Sequence, residues 1–94
     1  MIKVFVRHEV EDYARWKKAF DEFLTYRKDS GELSYSIGHV ANEPNNLCLT
    51  FEWDSVDNAH AFLTSGKLRT AMQSAGVTGA PDIFIYEIVE EGQT

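Results

Sequence analysis

The order of residue periodicities along the chain restricts its fold more than any single motif does. Four segments, 2–10, 33–41, 47–53 and 83–89, alternate side chains with the two-residue period of a β-strand. After the first and the third of them, apolar residues recur instead at the spacing of an amphipathic helix. The element order is therefore β-α-β-β-α-β. This order predicts an α+β ferredoxin-like domain, in which a four-stranded antiparallel sheet with strand order 4-1-3-2 carries both helices on one face.

Local signals mark the ends of the two helices. Asp12 is suited to cap the first helix, which we expect to run unbroken until Gly31 supplies the left-handed residue that ends many helices. Asp54 or Ser55 is suited to cap the second helix. Gly66 lies in the middle of that helix, and its missing side chain predicts a kink there.

Length, charge and cysteine content limit the classes of function. A chain of 94 residues forms one small domain, which we place at 1–90, with 91–94 as a short flexible tail. A formal net charge of −6 repels phosphate backbones and anionic lipids, so neither a nucleic acid nor a membrane is expected as a partner. The single cysteine, Cys48, excludes an intrachain disulfide, and no apolar run resembles a signal peptide or a membrane span. We therefore expect a cytoplasmic protein.

The sheet face that is predicted to lie opposite the helices combines large aromatic side chains with charged ones. It carries Phe5, Arg7, Thr50, Glu52, Phe84 and Tyr86. Such a face is too apolar to leave in water and too polar for a core, so we expect it to pack against a second copy of the chain. Arg7 and Glu52 should then form a cross-strand ion pair inside the homodimer.

Several short motifs give the sequence a resemblance to a known superfamily. They are VEDYARWKKAFD at 10–21, FEWDS at 51–55, LRTAM at 68–72 and AGV at 75–77. The chain thereby resembles small bacterial proteins of the dimeric α/β-barrel superfamily, which are grouped with antibiotic-biosynthesis monooxygenases and so-called cyclases. The resemblance implies a homodimer in which two sheets form a barrel. Because this superfamily contains many activities, the shared fold does not by itself transfer one.

The resemblance also implies roles for residues of the second helix. Quinone-forming monooxygenases of this type line their pocket with an Asn and a Trp one turn apart, and the similar positions here are Asn58 and Phe62. Haem-degrading relatives use a similar Trp and a His iron ligand further along the helix, where this chain has Phe62 and Met72. Only the Asn is matched. The resemblance therefore disfavours haem, and we expect no cofactor.

Three histidines are candidates for proton transfer near neutral pH. His8 and His39 end the first two strands at the same end of the predicted sheet, so their side chains can either converge on a small ligand or hydrogen-bond locally. His60 can act as a base if it points inward, but it projects about 200° around the helix from Asn58. The two therefore do not both face one pocket. No paired histidine spacing indicates a metal site.

We expect the two helices and the sheet to enclose a pocket for a small apolar or aromatic ligand, although packing in a solid core is the alternative for each aromatic side chain. The predicted wall consists of Trp16, Phe20, Tyr35, Phe51, Asn58, Phe62 and Met72. The function that we favour is cofactor-independent oxygenation or cyclisation of an aromatic or polyketide-like compound. Its candidate catalytic residues are His8, His39, His60 and Asn58. The alternative is a non-catalytic dimer, a stress-response or interaction module whose cavity is filled by its own side chains.

Overall fold

The predicted α+β architecture is confirmed by a computed structural model, which describes all 94 residues. The strands form one antiparallel sheet in the order β2-β3-β1-β4, which is the predicted order 4-1-3-2 read from the opposite edge. The elements are β1 (Ile2–Val10), α1 (Tyr13–Glu22), α2 (Leu24–Ser30), β2 (Glu32–His39), β3 (Asn46–Trp53), α3 (Val56–Leu63), α4 (Gly66–Ser74) and β4 (Val77–Glu87). None of the helices is both long and apolar enough to cross a membrane.

Each of the two predicted helices is divided into two shorter ones. The first begins as predicted, with the Asp12 carboxylate accepting a hydrogen bond from the Ala14 amide at 3.2 Å. It is interrupted at Phe23, whose φ of −88° and ψ of 1° depart from helical geometry. The prediction of an unbroken helix up to Gly31 was therefore wrong, because the spacing of apolar residues does not reveal a one-residue change in backbone direction.

The second predicted helix is capped by Ser55, one of the two candidates, whose hydroxyl accepts a hydrogen bond from the Asn58 amide. Its interruption lies close to the predicted kink at Gly66 but has a different cause. Ser65 has the extended backbone of an N-cap residue, and its hydroxyl accepts from the Leu68 amide at 3.2 Å. A serine cap that starts a new helix, rather than the missing side chain of a glycine, therefore separates α3 from α4.

The core lies between one face of the sheet and the helices. Strands β1 and β3 each turn every second side chain toward the helices, as their alternation predicts. The buried apolar side chains are Val4, Val6, Val10, Trp16, Phe20, Leu47, Leu49, Phe51, Trp53, Ala59, Phe62 and Ala75. Burial of a single large side chain of this kind stabilises the fold by about 1.5–3 kcal/mol. The same layer of side chains fixes the height of the helices above the sheet and so determines the space left between them.

One ion pair is buried inside this layer. The side chains of Arg27, in α2, and Glu32, at the start of β2, are each only 4% exposed, and the guanidinium Nε lies 3.3 Å from the carboxylate. Arg27 also donates from Nη1 to the Phe20 carbonyl at 2.8 Å and lies over the Phe20 ring at 3.5 Å. Burial raises the pKa of the Glu32 carboxyl, since desolvation disfavours its charged form. Three elements, α1, α2 and β2, therefore meet at one charged group.

The outer face of the sheet differs in detail from the prediction. Arg7 does not pair with Glu52: its Nε bonds the Asp82 carboxylate at 2.7 Å and its Nη1 bonds the Asn46 side chain at 2.7 Å. The strand register explains the difference, because Arg7 lies opposite Asp82 whereas Glu52 lies opposite Lys3. The predicted mixture of charge and aromatic surface is nevertheless present on this face, where Phe84 is 62% exposed.

Removing one member of the buried pair should destabilise the fold severely. In Glu32→Gln the Arg27 charge stays buried without its counter-ion, and we expect a loss of about 3 kcal/mol in the free energy of unfolding. Urea denaturation measures this loss. The double variant Arg27→Met with Glu32→Leu removes both charges and should recover most of the stability. An unchanged midpoint for Glu32→Gln would contradict the assignment.

Candidate functional site

A cavity of about 90 Å³ lies between the helices and the sheet. Strands β1, β3 and β4 form its floor, and all four helices contribute to its walls. The side chains that line it are Val6, His8, Trp16, Ala19, Phe20, Phe23, Arg27, Leu49, Phe51, Phe62, Leu63, Leu68, Ala71, Met72, Ala75 and Ile83. Fourteen of these sixteen residues are hydrophobic, and the other two are His8 and Arg27. The cavity is therefore an apolar space with two positions at which a polar ligand atom can be recognised.

His8 is the polar group of the cavity that has no partner. It is 3% exposed, and neither its Nδ1 nor its Nε2 has a hydrogen-bond partner. Its ring lies edge-on to Trp16, with 5.8 Å between the ring centroids. Burial, together with the nearby Arg7 charge, lowers the pKa of His8 to about 4, so the imidazole is neutral at pH 7. A neutral imidazole offers one donor and one acceptor, and both are free to meet a ligand.

Arg27 is differently placed, because its bonds to Glu32 and to the Phe20 carbonyl already satisfy much of its hydrogen-bonding capacity. It covers the cavity wall through its stacking on Phe20. The Phe20 ring in turn stacks on Trp16, with 4.9 Å between centroids. A continuous wall of π-systems thus runs from the Arg27 guanidinium to the edge of His8. Flat aromatic surfaces of this kind suit the binding of a planar ring.

The structure brings together most of the side chains that the sequence assigns to the pocket. The cavity is lined by His8 together with Trp16, Phe20, Phe51, Phe62 and Met72. The remaining four predicted residues, His39, His60, Asn58 and Tyr35, lie outside it. The separation follows from where each residue sits on its element.

His39 and Tyr35 belong to the edge strand β2. His39 and His8 are both paired with Leu47, so they do lie at the same end of the sheet, as the sequence predicts. His39 is exposed, however, and its Nδ1 is 2.8 Å from the Val40 carbonyl, so the two imidazoles do not converge on one site. Tyr35 packs edge-on against Phe20, with 5.1 Å between centroids, but remains 46% exposed. Both residues are therefore exposed on the edge strand, outside the cavity.

Asn58 and His60 are separated from the cavity by helix geometry. Ala59, between them, is fully buried, and neighbouring residues of an α-helix project about 100° to either side. Both Asn58 and His60 are accordingly exposed. The side-chain amide of Asn58 donates from Nδ2 to the Asp54 carboxylate at 3.0 Å, which stabilises the start of α3. No three of the chain's His, Cys, Asp and Glu side chains are grouped so that they can hold a metal ion.

Arg27 is not among the site residues that the sequence predicts, although its spacing carries a signal. Arg27 follows Phe20 by seven residues, which is two helical turns, and so continues the stripe that contains Trp16 and Phe20. A charged residue on an inward-facing stripe needs a partner, because charged side chains are almost never fully buried unless they are paired. The lining contributed by Leu63, Leu68 and Ile83 was missed because these residues are indistinguishable from ordinary core positions.

A groove adjoins the cavity on the side of α4 and β4. Its volume is about 270 Å³, and it is more polar than the cavity. Its lining consists of Leu63, Ser65, Leu68, Arg69, Met72, Gln73, Val77, Gly79, Pro81 and Ile83. Four of these residues, Leu63, Leu68, Met72 and Ile83, also line the cavity. The groove and the cavity therefore lie next to each other and share part of one wall.

The fold is shared with many solved structures. A Bordetella bronchiseptica protein named as an antibiotic biosynthesis monooxygenase aligns over 95% of this chain and 97% of its own, with a TM-score of 0.78 and 15% sequence identity. A Caulobacter crescentus protein with the same description aligns over 95% and 90%, with a TM-score of 0.73 and 21% identity. No protein-family model matches the sequence. No curated protein matches it either.

A third solved structure with this fold is SnoaB, a cofactor-independent oxygenase from Streptomyces nogalater. It aligns over 96% of this chain and 94% of its own, with a TM-score of 0.74 and 12% identity. The resemblance noted from the sequence motifs is thus confirmed at the level of the fold. At these identities the similarity concerns the backbone, and the chemistry has to be argued from the site itself.

The buried histidine should make stability depend on pH. Because the pKa of His8 is near 4 in the folded protein and near 6.5 when unfolded, the unfolded chain binds more protons between these values. The contribution of the neutral His8 to the free energy of unfolding is fully present above about pH 6.5. It is lost as the pH falls toward 4, by up to about 1.4 kcal/mol per pH unit. Urea denaturation across this range tests it. His8→Gln should remove this component of the slope, whereas His60→Gln, at an exposed position, should retain it.

Proposed function

We propose that the protein is a homodimeric, cytoplasmic small-molecule-binding protein that oxygenates an electron-rich aromatic compound without a cofactor. The observation that carries the proposal is the unpartnered His8 imidazole in an otherwise apolar cavity. A buried polar group without a hydrogen bond costs about 1–3 kcal/mol. This cost is offset when a ligand hydroxyl or carbonyl group bonds the ring. An apolar pocket with one such polar group is the usual form of a small-molecule site.

The neutral His8 is suited to accept a proton from a bound phenol or from an activated ring methylene group. Its low pKa makes it a weak base in the empty cavity, because burial disfavours the imidazolium. A ligand anion formed beside it offsets this penalty, since the two charges form a neutral pair in an apolar medium. The aromatic wall of Trp16 and Phe20 then holds the planar anion and excludes water.

The electron-rich anion reacts with dioxygen, which is the oxidant. For a methylene group between two aromatic rings, a carbon–oxygen bond forms and two carbon–hydrogen bonds are broken. One oxygen atom remains in the product as a quinone carbonyl, and the other leaves as water. The protein supplies a proton acceptor, a fixed orientation and a dry surrounding. The description of SnoaB as a cofactor-independent oxygenase supports this reaction class for a chain of the same fold.

A single observation favours the non-catalytic alternative. The cavity of about 90 Å³ is smaller than the roughly 300–1,000 Å³ of most ligand sites. Under this alternative the protein is a dimeric interaction module, and the cavity is only a gap in the packing of its core. The two functions differ in whether dioxygen is consumed, and in whether His8 matters for anything except stability.

The homodimer is proposed from the uncovered outer face of the sheet. Phe84 and Tyr86 are 62% and 39% exposed, and Phe84 stacks on Phe5 of the next strand with 6.4 Å between centroids. Around this aromatic patch lie Arg7 and Glu52, which provide charge for the rim of an interface. A second copy that presents the same face buries the aromatic groups of both chains. The residues of this face lie on three adjacent strands, β3, β1 and β4, so the surface that a second copy would cover is continuous.

Substitution of the most exposed aromatic residue on this face should dissociate the dimer. Phe84→Glu places a charge where two aromatic surfaces meet, and we expect the dissociation constant to rise at least about 30-fold. Sedimentation equilibrium measures the change. Val56→Glu is the matched control, because Val56 is also exposed, at 48%, but lies on α3 on the opposite side of the sheet. A wild-type chain that sediments as a monomer at all concentrations would refute the proposed dimer.

Replacing each histidine by glutamine in turn tests the catalytic proposal. With an anthrone-type substrate and an oxygen electrode, His8→Gln should lower the rate by about 10²-fold or more, the usual contribution of a positioned base. His39→Gln and His60→Gln should retain most of the activity, because neither ring reaches the cavity. If the wild-type protein consumes no oxygen with any such compound but still binds it, the non-catalytic alternative is favoured.

A further inference from the structure

The groove beside α4 has the features of a second part of the ligand site. It shares four lining residues with the cavity, so the two spaces lie next to each other and border on the same residues. At about 90 Å³ and about 270 Å³, each space falls below the usual lower limit of roughly 300 Å³ for a ligand site, whereas the two together reach it. A ligand of ordinary size therefore fits if it occupies both.

The side chains that separate the two spaces are able to move. Met72 is unbranched and has three rotatable bonds, so it changes rotamer at low cost. Leu68 is half-buried, and α4, which carries both residues, has no buried residue at all. Neither Met72 nor Leu68 belongs to the twelve buried side chains of the core, but Leu68 packs against them, so a passage would open chiefly by a rotamer change at Met72.

The polar character of the groove indicates the chemistry of the part of the ligand that it holds. Arg69 lines the groove, is exposed and takes part in none of the four ion pairs of the chain. Gln73 adds a neutral hydrogen-bonding group. In a chain with a formal net charge of −6, a cation without an acidic partner at the mouth of an apolar site is complementary to an anion.

We propose that the ligand is amphipathic: an aromatic ring lies in the cavity beside His8, and a carboxylate on a short alkyl tail passes Met72 and reaches Arg69 in the groove. This inference rests on the cavity being the ligand site of the proposed function, and it adds the class of ligand. The groove supplies affinity and orientation for the tail. The ring end, where the chemistry takes place, is thereby held in one direction along the aromatic wall.

The proposal is tested with a series of ω-(4-hydroxyphenyl)alkanoates of increasing chain length and with the matching primary amides. Isothermal titration calorimetry at low ionic strength gives the affinity of each acid and each amide. The acid of one particular chain length should bind most tightly. At that length the carboxylate should bind two- to five-fold more tightly than the amide, as expected for an exposed ion pair. High salt should abolish this preference.

Arg69→Gln should reduce the affinity for the best carboxylate to that of its amide and leave the amide unchanged. Lys67→Gln is the matched control: it removes the same charge from the same helix, but Lys67 lies over the Tyr26 ring and does not line the groove. An equal effect of the two variants would show only a general electrostatic attraction and would overturn the proposal.

The outcomes separate this inference from the function on which it rests. If 4-ethylphenol and the amides bind in a manner that depends on His8, but no carboxylate shows a preference that depends on Arg69, the groove subsite is wrong and the cavity site stands. If none of the compounds binds, the cavity site itself fails, and the groove subsite fails with it.

Discussion

The stacking of the Arg27 guanidinium on Phe20 is the contact on which the arrangement of the helices depends. At the interruption, the Phe23 amide donates to the Phe20 carbonyl at 3.2 Å, a tighter bond that spans three residues instead of four. Arg27 donates to the same carbonyl from Nη1 at 2.8 Å, while its charge is balanced by Glu32 at the start of β2. The residue thus ties α1, α2 and β2 together across the interruption.

The same contact shapes the candidate site. Phe20 is held between the guanidinium on one side and Trp16 on the other, so its ring has little freedom to fill the neighbouring space. The Phe20 ring therefore cannot turn into the cavity without losing its contact with the buried Arg27–Glu32 pair. His8 lies at the far end of the stack, where the packing of Trp16 fixes its ring edge-on. Stability and ligand recognition are therefore supplied by one set of side chains.

The sequence was sufficient for the sheet and for much of the site, because both depend on strong periodic patterns. Alternation in β1 and β3 places His8 and Phe51 on the helix side, and helical spacing places Trp16 and Phe20 opposite them. The features that could not be predicted depend on single residues and on the register of the strands. The cap at Ser65, the pairing of Arg7 with Asp82 and the outward direction of Asn58 each follow from a shift of one residue or a fraction of a helical turn. Such shifts leave the overall periodicity unchanged.

The serine cap that separates α3 from α4 has a consequence for how proteins of this shape diverge. Since α4 begins at its own cap and contains no fully buried residue, substitutions at its exposed positions have little effect on the stability of the rest of the domain. Arg69 and Gln73, which line the groove, are among these exposed positions. The lining of the groove can therefore change while the sheet and the aromatic stack stay as they are.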